Sequence, residues 1–186
     1  MTFQIPSVLN SPYGYGLGAL FILLLLLLPL RGKRPGFERA WKPLIPVVRG
    51  RVKNGRSEST MTGDYRGRPV TASLRRGEAD QPLAFSLQMP VGSSGRDWEV
   101  SRRSEQLLGP EAWRPYTQDP ALQARLESVN VAGMLRNWPN DTVVRYDARQ
   151  GILTLCQQAF NQSAGNFKAT LNLLESLAEV NRQVNE

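Results

Sequence analysis

Histidine is absent from this 186-residue chain and cysteine occurs once, at Cys156. Without imidazole, a serine or cysteine nucleophile activated by histidine cannot be assembled, and a zinc site of the Cys/His kind lacks ligands. Haem held by an imidazole from this subunit is excluded too, and one thiol leaves no internal disulfide. Lysine is also scarce: Lys33, Lys42, Lys53 and Lys168 are the whole set, and none has serine three residues upstream, so the Ser-x-x-Lys nucleophile is missing. No Walker loop occurs. The sequence therefore predicts no catalytic residues, no cofactor and no metal ligands. Cys156, within the apolar run Ile152 to Cys156, reads as a buried structural thiol.

Charge is missing altogether from residues 1–30. It then arrives abruptly: residues 31–56 hold nine basic residues against the single acid Glu38, a net +8. The remaining 130 residues, 57–186, carry 14 basic and 15 acidic side chains, a net −1. The overall formal charge of +7 thus belongs to one segment, and nucleic-acid binding is not needed to explain it.

Within the uncharged segment, Ser11-Pro12 has the form of a helix N-cap with proline at the first helical position. The 19 residues from Pro12 to Leu30 include six successive leucines, Leu23 to Leu28. As a helix they would extend about 28 Å, close to a bilayer's hydrocarbon thickness. The expected element is a single transmembrane helix, with Tyr13 and Tyr15 at an aromatic belt. Gly14 and Gly18 form one Gly-x-x-x-Gly pair, a candidate contact with another helix. The basic residues follow the apolar run instead of preceding it, and no small-residue cleavage site is present, so a removable signal peptide is not expected. The positive-inside rule places the N-terminus outside and the C-terminal body in the cytoplasm, as for a bacterial inner membrane.

Residues 31–56 read as a juxtamembrane linker, broken by Pro35, Pro43, Pro46 and four glycines. Arg31, Lys33, Arg34, Arg39 and Lys42 are expected against anionic lipid headgroups, with Phe37 and Trp41 as interfacial aromatics.

Residues 57–186 read as an α+β body of about six antiparallel strands and two helical regions. Ser59 to Tyr65 and Pro69 to Arg75 predict a hairpin, Leu83 to Met89 alternates strictly, and a strand about Trp98 and Val100 completes a four-strand meander. Thr142 to Tyr146 and Ile152 to Cys156 form a second hairpin. Asp119-Pro120 starts a helix, with a bend expected near Asn130, and residues 165–184 form a last amphipathic helix able to cover the sheet. Asp97 and Glu99, two apart on a strand and flanked by arginines, read as balanced surface charge rather than a catalytic pair. Arg66, Arg68, Arg75 and Arg76 read as one cluster guarding a hairpin edge. The loop Trp113-Arg114-Pro115-Tyr116 supplies residue types that anchor protein interfaces, so Trp113, Arg114 and Tyr116 are candidate partner contacts.

This plan of anchor, basic collar and catalytically bare body resembles that of accessory subunits of larger membrane complexes. The resemblance is one of plan, not motif, and its commonest setting is a respiratory or photosynthetic assembly. It implies other membrane subunits as partners and a non-catalytic, stabilising role. A membrane-tethered sensing or ligand-binding domain is the alternative, and a tethered enzyme the third reading.

Overall fold

The computed structural model describes residues 37–76, 83–93, 95–102, 112–158 and 160–185. The expected spanning helix, with Tyr13, Tyr15, Gly14 and Gly18, lies outside the described residues, as do Arg31, Lys33 and Arg34. Among the described residues no helix is long and apolar enough to cross a membrane.

The body is α+β, built on an antiparallel sheet of eight strands. Its strands are β1 (Arg51–Asn54), β2 (Glu58–Tyr65), β3 (Arg68–Arg75), β4 (Ala84–Pro90), β5 (Trp98–Arg102), β6 (Trp113–Tyr116), β7 (Val143–Asp147) and β8 (Ile152–Gln157). The helices are α1 (Phe37–Trp41), α2 (Ile45–Val48), α3 (Pro120–Ser128), α4 (Val131–Met134) and α5 (Ala164–Asn185). Strand count and start both differ from expectation, because β1 and β6 are short and each lies at an outer edge of the sheet.

The order across the sheet is β1-β2-β3-β4-β8-β7-β5-β6. The expected meander holds for β2, β3 and β4 and then fails: β5 is placed beyond the β7–β8 hairpin, not beside β4. Residues 91–93 cross over the hairpin turn. Val91 N–H donates to Gly151 O (2.8 Å), and the Tyr146 hydroxyl donates to Gly92 O (2.9 Å). Gly151 has φ +65°, and a Cβ there would stand 2.6 Å from Gly92 C and Ser93 N. Glycine is required twice over, by its left-handed conformation and by the crossing chain.

Register carries one apolar row across the sheet: Val52, Met61, Ala72, Leu87, Leu155, Val144, Val100 and Pro115 are successive partners. Strand residues two apart face the same side, so Leu74, Phe85, Met89, Leu153, Tyr146 and Trp98 join that face and are buried. Against it lies α5, burying Phe167, Leu171, Leu174 and Leu177. Phe167 meets Phe85 edge-on at 6.3 Å, while Phe85 stacks on Phe160 at 3.8 Å. Two buried polar pairs sit in this core, as burial favours: Trp98 Nε1 donates to Asn181 Oδ1 (2.8 Å) and Gln157 Nε2 to Thr142 Oγ1 (2.9 Å).

The helix signals act as read. Asp119 caps α3, its carboxylate accepting from the backbone N–H of Ala121 (2.9 Å) and Leu122 (3.2 Å). Asn130, at φ +56°, makes the bend into α4 and accepts from Gly133 N–H.

The expected linker of residues 31–56 is corrected from residue 37 onward. Phe37 and Trp41 are 1% and 0% exposed and belong to the core, not to a membrane interface. With Leu44 they form the stripe that seats α1 and the following turn on the sheet, and Trp41 Nε1 donates to Ser59 Oγ (2.7 Å) on β2.

Candidate functional site

The second face of the sheet carries short polar side chains. The register row Thr62, Thr71, Gln88, Thr154, Arg145, Glu99 and Tyr116 crosses it from β2 to β6. Beside it run Thr60, Ser73, Ser86, Cys156 and Val143. All of these are exposed or half-buried, in contrast to the opposite face.

Cys156 is therefore a correction: alternation in β8 turns Leu153, Leu155 and Gln157 inward and leaves the thiol exposed on the polar face. Packing between strands nevertheless desolvates it. That raises its pKa above the ordinary thiol value, with the Arg145 charge and a hydrogen bond with Ser86 acting against the rise.

At the β5–β6–β7 end this face deepens into an open groove of about 620 Å³. The side chains that give it character are Arg96, Asp97, Glu99, Tyr116, Arg145 and Arg149. Tyr116 is 69% exposed, the one large hydrophobic side chain so displayed among the described residues. Arg145 turns two N–H groups onto Glu99 Oε2, at 2.9 and 2.6 Å. That hydrogen bond, and the carboxylate charge behind it, raise the arginine's pKa further above its ordinary value. Asp97 Oδ1 accepts from the Ala148 backbone N–H at 2.7 Å, and Asp147 Oδ1 accepts from the N–H groups of Arg149 and Gln150, both at 2.9 Å.

Each acid of the groove is thus committed to holding local structure. Glu99 is balanced by charge, as the sequence suggested, but by Arg145 across the strands instead of by its neighbours in sequence. Asp97 precedes β5 and fixes the β7–β8 turn. Arg96 reaches Asp119 loosely, at 3.5 Å, and the Arg149 guanidinium has no ion-pair partner among the described residues. Chemically the groove offers guanidinium donors and one aromatic face, groups suited to holding an anion or a carboxylate. Among the described residues no group of three or more His, Cys, Asp or Glu could hold a metal ion.

The other residues marked in the sequence are dispersed. Trp113-Arg114-Pro115-Tyr116 is not a loop but β6, so its side chains alternate: Trp113 is 4% exposed, in the core, while Arg114 and Tyr116 face outward. Arg39 is exposed on α1 and Lys42 in the turn that follows it. The cluster of Arg66, Arg68, Arg75 and Arg76 is split, because the first two stand at one end of the β2–β3 hairpin and the last two at the other. Arg66 pairs with Glu175 of α5 at 2.7 Å.

Sequence reading missed Arg96, Arg145 and Arg149 as companions of Tyr116. Alternation in Val143-Val144-Arg145-Tyr146 marks Arg145 as outward. Its neighbourhood to Glu99 depends on β5 pairing with β7, which local signals do not reveal. Comparison of the chain with family models, curated proteins and solved structures finds no match.

Proposed function

We propose that this chain is a non-catalytic, single-pass accessory subunit that stabilises a larger membrane protein complex, an energy-converting one in its commonest setting. Its N-terminus lies outside, its body is cytoplasmic, and the membrane is a bacterial inner membrane. Its partners are other membrane subunits, with anionic lipid headgroups around Arg31, Lys33 and Arg34, and nucleic acid is not among them. The spanning element is the helix of residues 12–30, whose uncharged leucine-rich run and one-sided basic flank support both the span and its orientation.

The observation that carries the reading is the polar sheet face ending at Tyr116. Short Thr and Ser side chains make it flat and rich in hydrogen-bonding groups. At its edge stand Tyr116, Arg114 and Arg145, residue types that concentrate binding energy in protein interfaces. The occupant proposed is a neighbouring subunit whose surface complements this polar platform.

Deleting the protein should shift or shrink one membrane complex on a native gel while leaving the turnover of each surviving complex nearly unchanged. The double variant Thr71→Arg and Thr154→Arg should reproduce that shift in a folded chain. A protein that migrates only as a free monomer in several mild detergents, with no complex altered by deletion, would remove this reading.

The alternative of a ligand-binding body rests on the groove itself, where Arg96 and Arg149 flank Tyr116, the first loosely held and the second without an ion pair among the described residues. A screen of small anions by thermal shift, with Arg96→Gln and Arg149→Gln as controls, separates the two: stabilisation lost in both variants favours the ligand.

A further inference from the structure

Residues 37–56 display six exposed cations, Arg39, Lys42, Arg49, Arg51, Lys53 and Arg56, against one acid, Glu38. None of the six takes part in an ion pair among the described residues. The four pairs that do occur, Arg66–Glu175, Arg96–Asp119, Arg145–Glu99 and Arg182–Glu179, all belong to the rest of the body. Other described cations without an ion pair, such as Arg114, Arg136, Arg149 and Lys168, lie singly in separate elements, whereas here six stand together with one acid.

The fold gathers these cations along one border. β1 is the outermost strand, and Arg51 and Lys53, two residues apart, project from it on the polar face beside Thr62 and Thr60. On the other face of the same border α1 is pinned to β2 through Trp41 and Ser59, leaving Arg39 and Lys42 exposed. Arg56 sits in the β1–β2 turn and Arg49 at the left-handed end of α2. An edge strand needs only a charge or two to refuse another strand. The opposite edge, β6, carries one cation, Arg114, and relies on Pro115 and its four-residue length.

We propose that this rim, made of α1, α2, β1 and the turn after it, is a docking edge for an anionic membrane surface, and that it sets the body edge-on to the bilayer. The inference rests on the reading of the chain as membrane-tethered. Two observations choose lipid as the occupant. The rim is complementary in charge to acidic headgroups, and its long side chains are unpaired. The first element of the body, α1, belongs to this rim, and only six residues, 31–36, separate it in sequence from the uncharged apolar run that ends at Leu30. Because Phe37 and Trp41 are core residues, the cations stand on a fixed surface, so binding would order no further backbone. The contact is electrostatic and falls with salt.

The test uses the full chain with Cys156→Ser, mixed with vesicles of phosphatidylcholine alone or of phosphatidylcholine with phosphatidylglycerol. Flotation reports attachment. A fluorophore on Ser57→Cys, beside the rim, or on Gln118→Cys, roughly 34 Å away across seven strand spacings, reports proximity to a headgroup-bound quencher. Quenching at position 57 should exceed that at 118 by at least ~3-fold in the anionic vesicles, and should fall to the 118 level in high salt. It should fall equally when Arg39, Lys42, Arg51, Lys53 and Arg56 are changed to Gln, with circular dichroism showing the fold kept. A chain that floats with both vesicle types yet shows equal quenching at the two positions overturns the rim and leaves the tether standing. Flotation only with anionic vesicles, lost in the five-site variant, overturns the tether and keeps the rim. Flotation with neither overturns both.

Discussion

Leu155 and Thr154 are neighbours in β8, yet they belong to different environments. Leu155 is fully buried beneath α5, with Leu87 and Val144 on either side in its row, and Thr154 is half-exposed between Gln88 and Arg145. The two faces of this sheet are built from the same strands with the same hydrogen bonds, so what separates them is side-chain chemistry alone. One face is spent on holding the fold together and tolerates little change. The other contributes little to stability, so its composition is free to answer to something outside the chain.

The sharpest test of that division is truncation on each side. Leu155→Ala should lower unfolding free energy by about 2 to 5 kcal/mol in a denaturant titration, whereas Thr154→Ala should stay within about 0.5 kcal/mol of the parent chain. Similar losses at both positions would mean that the polar face is covered by its own chain.

Gly151→Ala should cost about 1 to 3 kcal/mol, because it combines a left-handed backbone with a collision against the crossing chain. Gly92→Ala is the control: its φ of +93° is also unfavourable for a side chain, but a Cβ there meets nothing within 4 Å, so its loss should be the smaller. Equal losses in thermal unfolding would show that conformation, not the crossing, decides the cost.

On the polar face, Glu99→Gln should change stability by about 0 to 1 kcal/mol, since Arg145 and Glu99 are both partly solvated and surface pairs contribute little. A larger loss would make this pair part of the framework that holds β5 against β7.

The smallest expected effect concerns Cys156. Its thiol is exposed, so a disulfide reagent should modify it in the folded chain without waiting for global unfolding, whereas a thiol introduced by Leu155→Cys should react only on opening. Desolvation raises the Cys156 pKa, so the folded state favours the protonated thiol. At neutral pH its reaction should be slower than that of a free cysteine, and it should accelerate as pH rises past the ordinary thiol value. The sign for stability follows: below that value the thiol is protonated in both states and adds nothing. Above it, the unfolded chain loses its proton first and the fold is weakened slightly. A Cys156 rate equal to that of the unfolded chain across this range would show that the strands do not desolvate it.

Much of the local structure can be read from a few adjacent residues, because its causes lie there. The β2–β3 and β7–β8 hairpins follow from alternation about Gly67 and Gly151, α3 begins where Asp119 can cap it, and the bend falls at Asn130, which accepts a left-handed backbone. β6 escaped because four residues containing a proline read as a loop. At the sheet edge the missing N–H faces no partner strand, so the proline is harmless there. The groove escaped for a different reason: Tyr116, Glu99 and Arg145 are brought side by side only because β5 inserts between β6 and β7.

The sequence by itself determined the segregation of charge, the elements that alternation and caps encode, and the absence of histidine-dependent chemistry. Tertiary structure alone decided the strand order and the fate of ambiguous apolar stripes. Phe37, Trp41 and Leu44 recur at helical spacing, and such a stripe specifies only that one side of the element must leave water. Lipid or protein would satisfy it equally. Ser59 on β2 receives the Trp41 N–H, and the sheet supplies a packed surface, so these residues became core while the cations around them were left on a fixed rim. Strand order is likewise set by contacts between residues distant in the chain, which no local pattern encodes.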